Sequence, residues 1–241
     1  MNHKFQPSVI REAFYAGRAE LSKSADGDWA RRDNAPDLMI ACLFCRLLAH
    51  LKAIEVLYAN DFEIEANTVL RSCLETLFWM GATIKDPSTI DLLVKDHEIS
   101  LHERIKILLT SHAHHLKAPM LKQLEEVRAD IEKPKGNRSN FRSLAETAGI
   151  GEFYLIYKAL SDASAHPSAN SLNRHIIKGP DSDIEELSVL VPNPDWDGVF
   201  NLGCNFIAMT KNWLNESYSL PREAWEIELQ SAVAANNNLL S

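Results

Sequence analysis

The stretch EIEANTVLRSCLETLFWMGATI, residues 63–84, decides the fold, because wound as a helix it is apolar on almost every side. One broad apolar face is formed by Val69, Leu70, Cys73, Leu74, Leu77 and Met80. A helix with so little polar surface must be covered by other elements in a soluble protein. The stretch therefore predicts a central helix, with further helices packed around it.

Helical periodicity continues outward from this stretch in both directions. Helices are predicted over residues 8–24, 36–59, 86–115, 118–132, 142–148, 153–165, 199–218 and 221–228. The helix over 36–59 has Asn34 as its cap, and its expected buried stripe is Leu38, Cys42, Cys45, Leu48 and Leu51. The fold class is all-α, a helical bundle of about seven to nine helices.

Residues 170–197 break this pattern with prolines and short β-branched runs. Residues 174–177 and 187–191 are predicted to pair as a small β-hairpin in an otherwise irregular excursion. We expect a single domain over residues 1–241, with a core at about 38–168 and the excursion and last helices at 169–241. The chain is long enough to bury a substantial apolar core.

Composition narrows the class of protein. The first residues lack the apolar core of a signal peptide and no run is long enough to span a bilayer, so a cytoplasmic protein with no membrane contact is expected. All four cysteines lie among apolar residues, which favours buried free thiols over disulfides. A net charge of −8 argues against broad, non-specific binding of nucleic acid.

One local exception to the acidic balance is a basic segment. Lys133, Lys135, Arg138 and Arg142 fall within a run that contains no acidic residue. The segment is either a solvated loop or a loop that contacts phosphate, and both interpretations stay open from the sequence.

Arg71 and Glu75 are the polar pair on the central helix. They lie at i and i+4 just off the edge of the apolar face. An exposed pair in this order adds little helix stability, so partial burial with specific partners is expected. The pair either fixes the register of the bundle, or presents a guanidinium that binds an anion with Glu75 orienting it.

A second polar group follows about ninety residues later. Tyr157 and Ser161 lie at i and i+4 on one helix, and Pro167 should end that helix at Ala165. His166 then lies just past a helix C-terminus, where the dipole favours its protonated form. Acid–base chemistry or anion binding is one interpretation, and a capping histidine beside an ordinary helix serine is the other.

Familiar metal and redox spacings are rejected. His97 and His102 lie at i and i+5, too far apart around a helix to share a metal ion as an i, i+4 pair does. Cys42 and Cys45 have redox spacing but lie on an apolar helix with no second cysteine pair. No metal and no cofactor is predicted.

The sequence resembles the bacterial domain-of-unknown-function family 5677 over about residues 38–168. The resemblance is carried by residues 65–75, by Asp86-Pro87, by residues 157–161 and by His166-Pro167-Ser168. This family is distantly similar to HEPN domains, many of which are dimeric ribonucleases. The resemblance thus implies an all-α fold, a homodimer and RNA or another anionic ligand as partners. HEPN nucleases carry an arginine shortly before a histidine on one helix, whereas Arg71 and His166 are on different segments.

These observations give two hypotheses for function. The first is a polar site that binds an anionic ligand or RNA phosphate, acting, if it is an enzyme, as a metal-independent ribonuclease. Its catalytic candidates are Arg71, Glu75, Ser161 and His166, and its binding candidates are Tyr157, Ser168, Lys133, Lys135 and Arg138. The second hypothesis is a non-catalytic protein-interaction module in which the same residues are structural.

Overall fold

The computed structural model describes residues 9–25, 29–31, 33–130, 139–165, 168–178, 184–191 and 194–218. Over these residues the chain is an all-α bundle with one two-stranded antiparallel sheet, which confirms the predicted fold class. The described elements are α1 Val9–Ser22, α2 Ala35–Ala59, α3 Glu63–Lys85, α4 Thr89–Ser111, α5 Ala118–Asp130, α6 Phe141–Thr147, α7 Phe153–Leu160, α8 Ala169–Asn173, β1 Ile176–Lys178, β2 Ile184–Leu187 and α9 Trp196–Tyr218.

Helix α3 is the centre of the bundle. Every residue from Thr76 to Thr83 is buried. The helix packs against α2, α6, α7 and α9, so neighbours cover it on several sides. This arrangement explains why its sequence is apolar around most of the helix, and it confirms the prediction of a central helix.

Helices α2 and α3 are joined by a short connection and pack against each other as an antiparallel hairpin. The side chain of Asn34 accepts a hydrogen bond from the backbone N–H of Asp37 and so caps α2, as expected. Asp61 adopts a left-handed backbone with φ of 60° in the short connection. Its carboxylate accepts a hydrogen bond of 2.8 Å from the indole of Trp196, which ties the turn to α9.

The buried face predicted for α2 is right at Leu51 and wrong at its first three positions. Leu38 is half exposed, and Cys42 and Cys45 are exposed rather than buried. The buried face is instead formed by Ile40, Phe44, Leu47, Leu51 and Ile54. Both sides of this helix are apolar, so periodicity alone did not identify the side that faces the bundle.

Helix α4 begins later than the predicted start at residue 86. Asp86 follows the last residue of α3, and α4 begins only at Thr89, after a turn. Within that turn the Asp86 carboxylate accepts a 3.0 Å hydrogen bond from the backbone N–H of Ser88. At its other end α4 stops at Ser111, and a separate 3₁₀ turn over Ala113–His115 replaces the helix predicted to continue to residue 115.

A β-hairpin is present, but its second strand lies earlier than predicted. Ile176 pairs with Leu187 and Ile177 with Glu186, and the register shifts before Lys178. The prediction placed the second strand at residues 187–191, where the alternation of apolar residues is stronger.

Helix α9 runs along α1 and α3 and closes the bundle. Gly203 lies against the ring of Phe14, and the Trp213 indole lies against Gly81 of α3. The helix predicted from Pro221 lies outside the described residues. Within the described ranges, no helix has the length and apolar content that crossing a membrane requires.

Candidate functional site

The described part of the predicted site is built around the guanidinium of Arg71 on α3. Its Nη2 lies 2.9 Å from Oε1 of Glu75, one helical turn further on. Its Nε donates to the hydroxyl of Ser161 at 2.9 Å, and Nη2 also donates to the hydroxyl of Tyr157 at 2.9 Å. We call these four residues the Arg71 cluster. Four of the residues identified from sequence are thus in direct contact.

Tyr157 and Ser161 each use their hydroxyl twice within the Arg71 cluster. The Tyr157 hydroxyl accepts from Arg71 and donates to Glu75 Oε1 at 3.2 Å. The Ser161 hydroxyl accepts from Arg71 and donates to the carbonyl oxygen of Tyr157 at 2.8 Å. Each hydroxyl therefore has both a donor and an acceptor as its partner, so neither loses a hydrogen bond on burial.

The Arg71 cluster is buried at its hydroxyls and open at its charges. Tyr157 and Ser161 are each 8% exposed, whereas the side chains of Arg71 and Glu75 keep 20% and 26% of their surface accessible. The guanidinium carbon also lies 4.9 Å from the centre of the Tyr157 ring, within the range of a cation–π contact. Solvent or a ligand can thus reach Arg71 and Glu75 more readily than Tyr157 and Ser161.

Aromatic packing holds Tyr157 in place. The rings of Phe78 and Phe141 lie at centroid distances of 6.0 Å and 5.4 Å from it, and Tyr154 stacks on it at 5.8 Å. Phe78 comes from α3 and Phe141 from α6, so three helices fix this phenol. Phe78 and Phe141 were not predictable from the sequence as supports of the site, because their contact depends on how α3, α6 and α7 meet.

The helix that carries Tyr157 changes geometry at Ser161. It was predicted to run unchanged to Ala165, but α7 ends at Leu160 and Ser161–Ala165 is one π-helical turn. The hydroxyls of Ser161 and Ser164 donate to carbonyl oxygens four residues earlier. Such wide turns are rare and often occur at functional sites.

The environment of the Tyr157 phenol raises its pKa. Burial is the largest cause, because it disfavours the phenolate, and the nearby Glu75 carboxylate acts in the same direction. The guanidinium of Arg71 opposes both but does not outweigh them. The phenol therefore stays protonated at neutral pH and keeps its donor for Glu75.

The remaining predicted site residues divide into two groups. His166, Lys133, Lys135 and Arg138 lie outside the described residues. Ser168 is described, and it caps α8: its hydroxyl accepts from the backbone N–H of Ser171 at 3.0 Å, and the Ser171 hydroxyl accepts from the backbone N–H of Ser168 in return. Ser168 also donates to the carbonyl oxygen of Asp162 in the π-helical turn.

A second buried polar contact was missed by the sequence analysis. Glu63, 2% exposed at the start of α3, accepts hydrogen bonds from Asn67 and from Arg174. Arg174 follows α8 directly, so this ion pair anchors the segment after the π-helical turn to α3. A buried carboxylate needs such a partner, but the sequence gives no sign of which distant arginine supplies it.

A metal centre finds no support in the part of the chain that is described. No group of three or more His, Cys, Asp or Glu side chains in these ranges lies close enough together to hold a metal ion. The histidines of the 3₁₀ turn contact one another instead, with His114 and His115 at a centroid distance of 3.9 Å.

Comparison with known proteins identifies a family for this chain but does not indicate an activity. The family model described as "Family of unknown function (DUF5677)" matches residues 37–184, a range that contains the whole Arg71 cluster. No curated protein and no solved structure matches the chain. The function must therefore be inferred from the geometry of the site.

Proposed function

Since the chain belongs to the family of unknown function DUF5677, whose name states no activity, we propose a function from the Arg71 cluster itself. The proposal is that this cluster binds a phosphate group of RNA. The observation that carries it is a fixed, partly exposed guanidinium beside a π-helical turn. Guanidinium groups suit phosphate because their N–H groups form a planar fork.

Preorganisation of Arg71 supports this function. Its Nε and Nη2 are held by side chains of both α3 and the α7 segment. Its Nη1 has no hydrogen-bond partner among the described residues, so its donors are available to an incoming oxyanion. Because the side chain is already fixed, binding costs little conformational entropy. A residual exposure of 20% leaves a path to the group.

The proposed reaction is metal-independent cleavage of the RNA backbone, as in a HEPN-like ribonuclease. The ribose 2′-hydroxyl would attack the adjacent phosphorus, its proton passing to a base, while the 5′-oxygen leaves and takes up a proton. His166, two residues before Ser168, is the acid–base group of this proposal. Arg71 would stabilise the negative charge that develops on the phosphate oxygens.

The test is a comparison of RNA binding and cleavage by matched arginine variants. Fluorescence anisotropy with a labelled single-stranded RNA should show binding by the wild type and at least about tenfold weaker binding by Arg71→Gln, which corresponds to one charge-assisted hydrogen bond. Arg104→Gln is the control, because Arg104 is exposed on α4 and its Nε donates to the carbonyl oxygen of Ser100 on the same helix. Cleavage in EDTA should be lost in His166→Ala. Equal binding by all variants would refute the proposal.

A second candidate function is a non-catalytic interaction module. The observation that favours it is the ion pair itself, because Glu75 neutralises Arg71 and the cluster joins α3 to the α7 segment. In that case Arg71→Gln would lower the free energy of unfolding. RNA would bind neither to the wild type nor to any variant. Urea denaturation and anisotropy on the same samples separate the two functions.

A further inference from the structure

A cleft outside the Arg71 cluster lies between the first half of α4 and helix α6. Its volume is about 280 Å³, room for about nine water molecules and so for a small organic ligand. The polar residues that line it include Asp86, Thr89, Lys95, Ser143 and Thr147. Neither of the functions proposed above uses any of them.

Lys95 is the cation of this cleft. Its side chain is partly buried, and no carboxylate among the described residues forms an ion pair with it. Asp91 lies one turn earlier on α4 but is not within ion-pair distance of it, and Asp96 accepts from the backbone N–H of Ser139 instead. An unpaired, partly desolvated ammonium attracts an anion into the cleft.

The α6 side of the cleft carries two hydroxyl groups. Ser143 and Thr147 lie at i and i+4 on α6, and neither side chain has a hydrogen bond within the described ranges. By contrast, the buried hydroxyls of Thr76, Thr83 and Thr210 donate to carbonyl oxygens four residues earlier, whereas Ser143 and Thr147 are exposed. The α6 hydroxyls therefore remain free to bond a polar ligand.

Asp86 supplies an acceptor at the other end of the cleft. Its Oδ1 accepts from the N–H and the hydroxyl of Ser88, and its Oδ2 has no partner among the described residues. Thr89 and Lys95 are about 9 Å apart along the axis of α4. The cleft thus presents a carboxylate acceptor and an ammonium at separate positions, with hydroxyls opposite.

We propose that this cleft binds a ribose phosphate. The Lys95 ammonium forms an ion pair with the phosphate, and Asp86 accepts hydrogen bonds from the sugar hydroxyls. The hydroxyls of Ser143 and Thr147 form further hydrogen bonds with the sugar. The ribose phosphate belongs either to a free nucleotide or to an RNA strand. Phe141 begins the helix that lines the cleft and also packs on Tyr157, so a strand is able to reach both sites.

The experiment measures binding of ribose 5-phosphate, adenosine monophosphate and a labelled single-stranded RNA by calorimetry or anisotropy. The full chain is compared with Lys95→Gln and with the double variant Ser143→Ala/Thr147→Ala. Lys106→Gln is the matched control, because Lys106 is exposed on the same helix and does not line the cleft. Loss of one charge-assisted contact should weaken binding about tenfold.

The outcomes identify the source of the ligand. If the two small ligands bind to the wild type, bind about tenfold more weakly to Lys95→Gln, bind more weakly to the double variant and bind unchanged to Lys106→Gln, the cleft is a nucleotide site. If RNA alone binds with this dependence, the ribose phosphate comes from a strand. Binding of ribose 5-phosphate that persists in Arg71→Gln separates this cleft from the Arg71 cluster. No dependence of any ligand on Lys95 would overturn the proposal.

Discussion

Arg71 donates to the hydroxyl of Tyr157 at 2.9 Å and so joins two helices that are 86 residues apart in sequence. The same hydroxyl donates to Glu75, so a single phenol satisfies both members of the ion pair on α3. Removing this oxygen would leave both charges with one partner fewer in a partly buried position. The contribution of the Tyr157 hydroxyl to stability can therefore be measured by removing this single oxygen atom.

Tyr157→Phe should lower the free energy of unfolding by about 1 to 2 kcal/mol. The substitution keeps the ring that packs on Phe78 and Phe141, and it removes only the hydroxyl. Urea denaturation followed by circular dichroism measures the change. Tyr154→Phe is the control, because Tyr154 stacks on Tyr157 but its hydroxyl has no hydrogen bond among the described residues. Equal stability of the two variants would show that the Tyr157 hydroxyl contributes nothing.

Glu75→Gln should lower the pKa of Tyr157, because burial and the Glu75 carboxylate both raise it in the wild type. Arg71→Gln should raise it further, since the guanidinium opposes that shift. Phenolate absorbance is titrated in each protein, and subtracting the same titration of the corresponding Tyr157→Phe variant isolates this tyrosine.

The raised pKa of Tyr157 also gives a pH dependence of stability. Above about pH 10 tyrosine ionises in the unfolded chain while folded Tyr157 stays protonated. Its contribution is therefore fully present below that pH and is lost as the pH rises through the folded pKa. A pKa of Tyr157 that is the same with and without Glu75 would contradict the described contact.

Most of the fold was predictable because local patterns determine it. The cap at Asn34, the short turn at Asp61 and the apolar sequence of α3 all depend on neighbours in sequence. The buried face of α2 was not predictable in this way, because Cys45 and Phe44 are both apolar and only the packing against α3 selects one.

The candidate site was predictable in its members and not in its connections. The i, i+4 spacing of Arg71 with Glu75, and of Tyr157 with Ser161, identified all four residues. The hydrogen bond from Arg71 to Ser161 depends instead on the relative position of two helices that meet only in the folded bundle. Periodicity carries no information about such a contact, nor about the π-helical turn.

The four cysteines should react with a thiol reagent in two classes. Cys42 and Cys45 are exposed on α2 and should be modified quickly in the native protein. Cys73 and Cys204 are fully buried, and burial raises the pKa of Cys204 to about 12, so both should react only after unfolding. Ellman's reagent, applied with and without denaturant, measures the two classes. Rapid native labelling of the Cys42→Ser/Cys45→Ser variant would contradict this assignment.

Asp37→Asn should lower the free energy of unfolding and make it less sensitive to acid pH. Burial alone would raise the pKa of Asp37, but hydrogen bonds from Arg31 at 2.7 Å and Tyr218 at 3.1 Å outweigh it and lower the pKa. A lowered pKa contributes stability above about pH 4, the unfolded value, and this stability is lost as the pH falls through the folded pKa.

Urea denaturation at neutral and acid pH should therefore show a smaller loss of stability on acidification in Asp37→Asn than in the wild type. Asp91→Asn, an exposed carboxylate at the start of α4, is the control and should follow the wild type. Parallel pH profiles for wild type and Asp37→Asn would show that this contact between α2 and α9 has no part in acid unfolding.

Gly81→Ala should destabilise the bundle at the point where α3, α9 and the end of α6 meet. A Cβ at this position would lie 2.6 Å from the Trp213 ring and 2.8 Å from the Cβ of Ala148, both closer than packed atoms tolerate. The helical preference of alanine favours the substitution by about 1 kcal/mol, whereas overpacking of this kind costs about 1 to 3 kcal/mol. The net result should be a lower melting temperature, measured by scanning calorimetry. Gly151→Ala, whose Cβ would meet its nearest neighbour at 3.4 Å, should change the melting temperature little.

Because shortening the opposing side chain makes room, Trp213→Leu combined with Gly81→Ala should cost less stability than the sum of the two single changes. Strict additivity would show that the two residues do not touch.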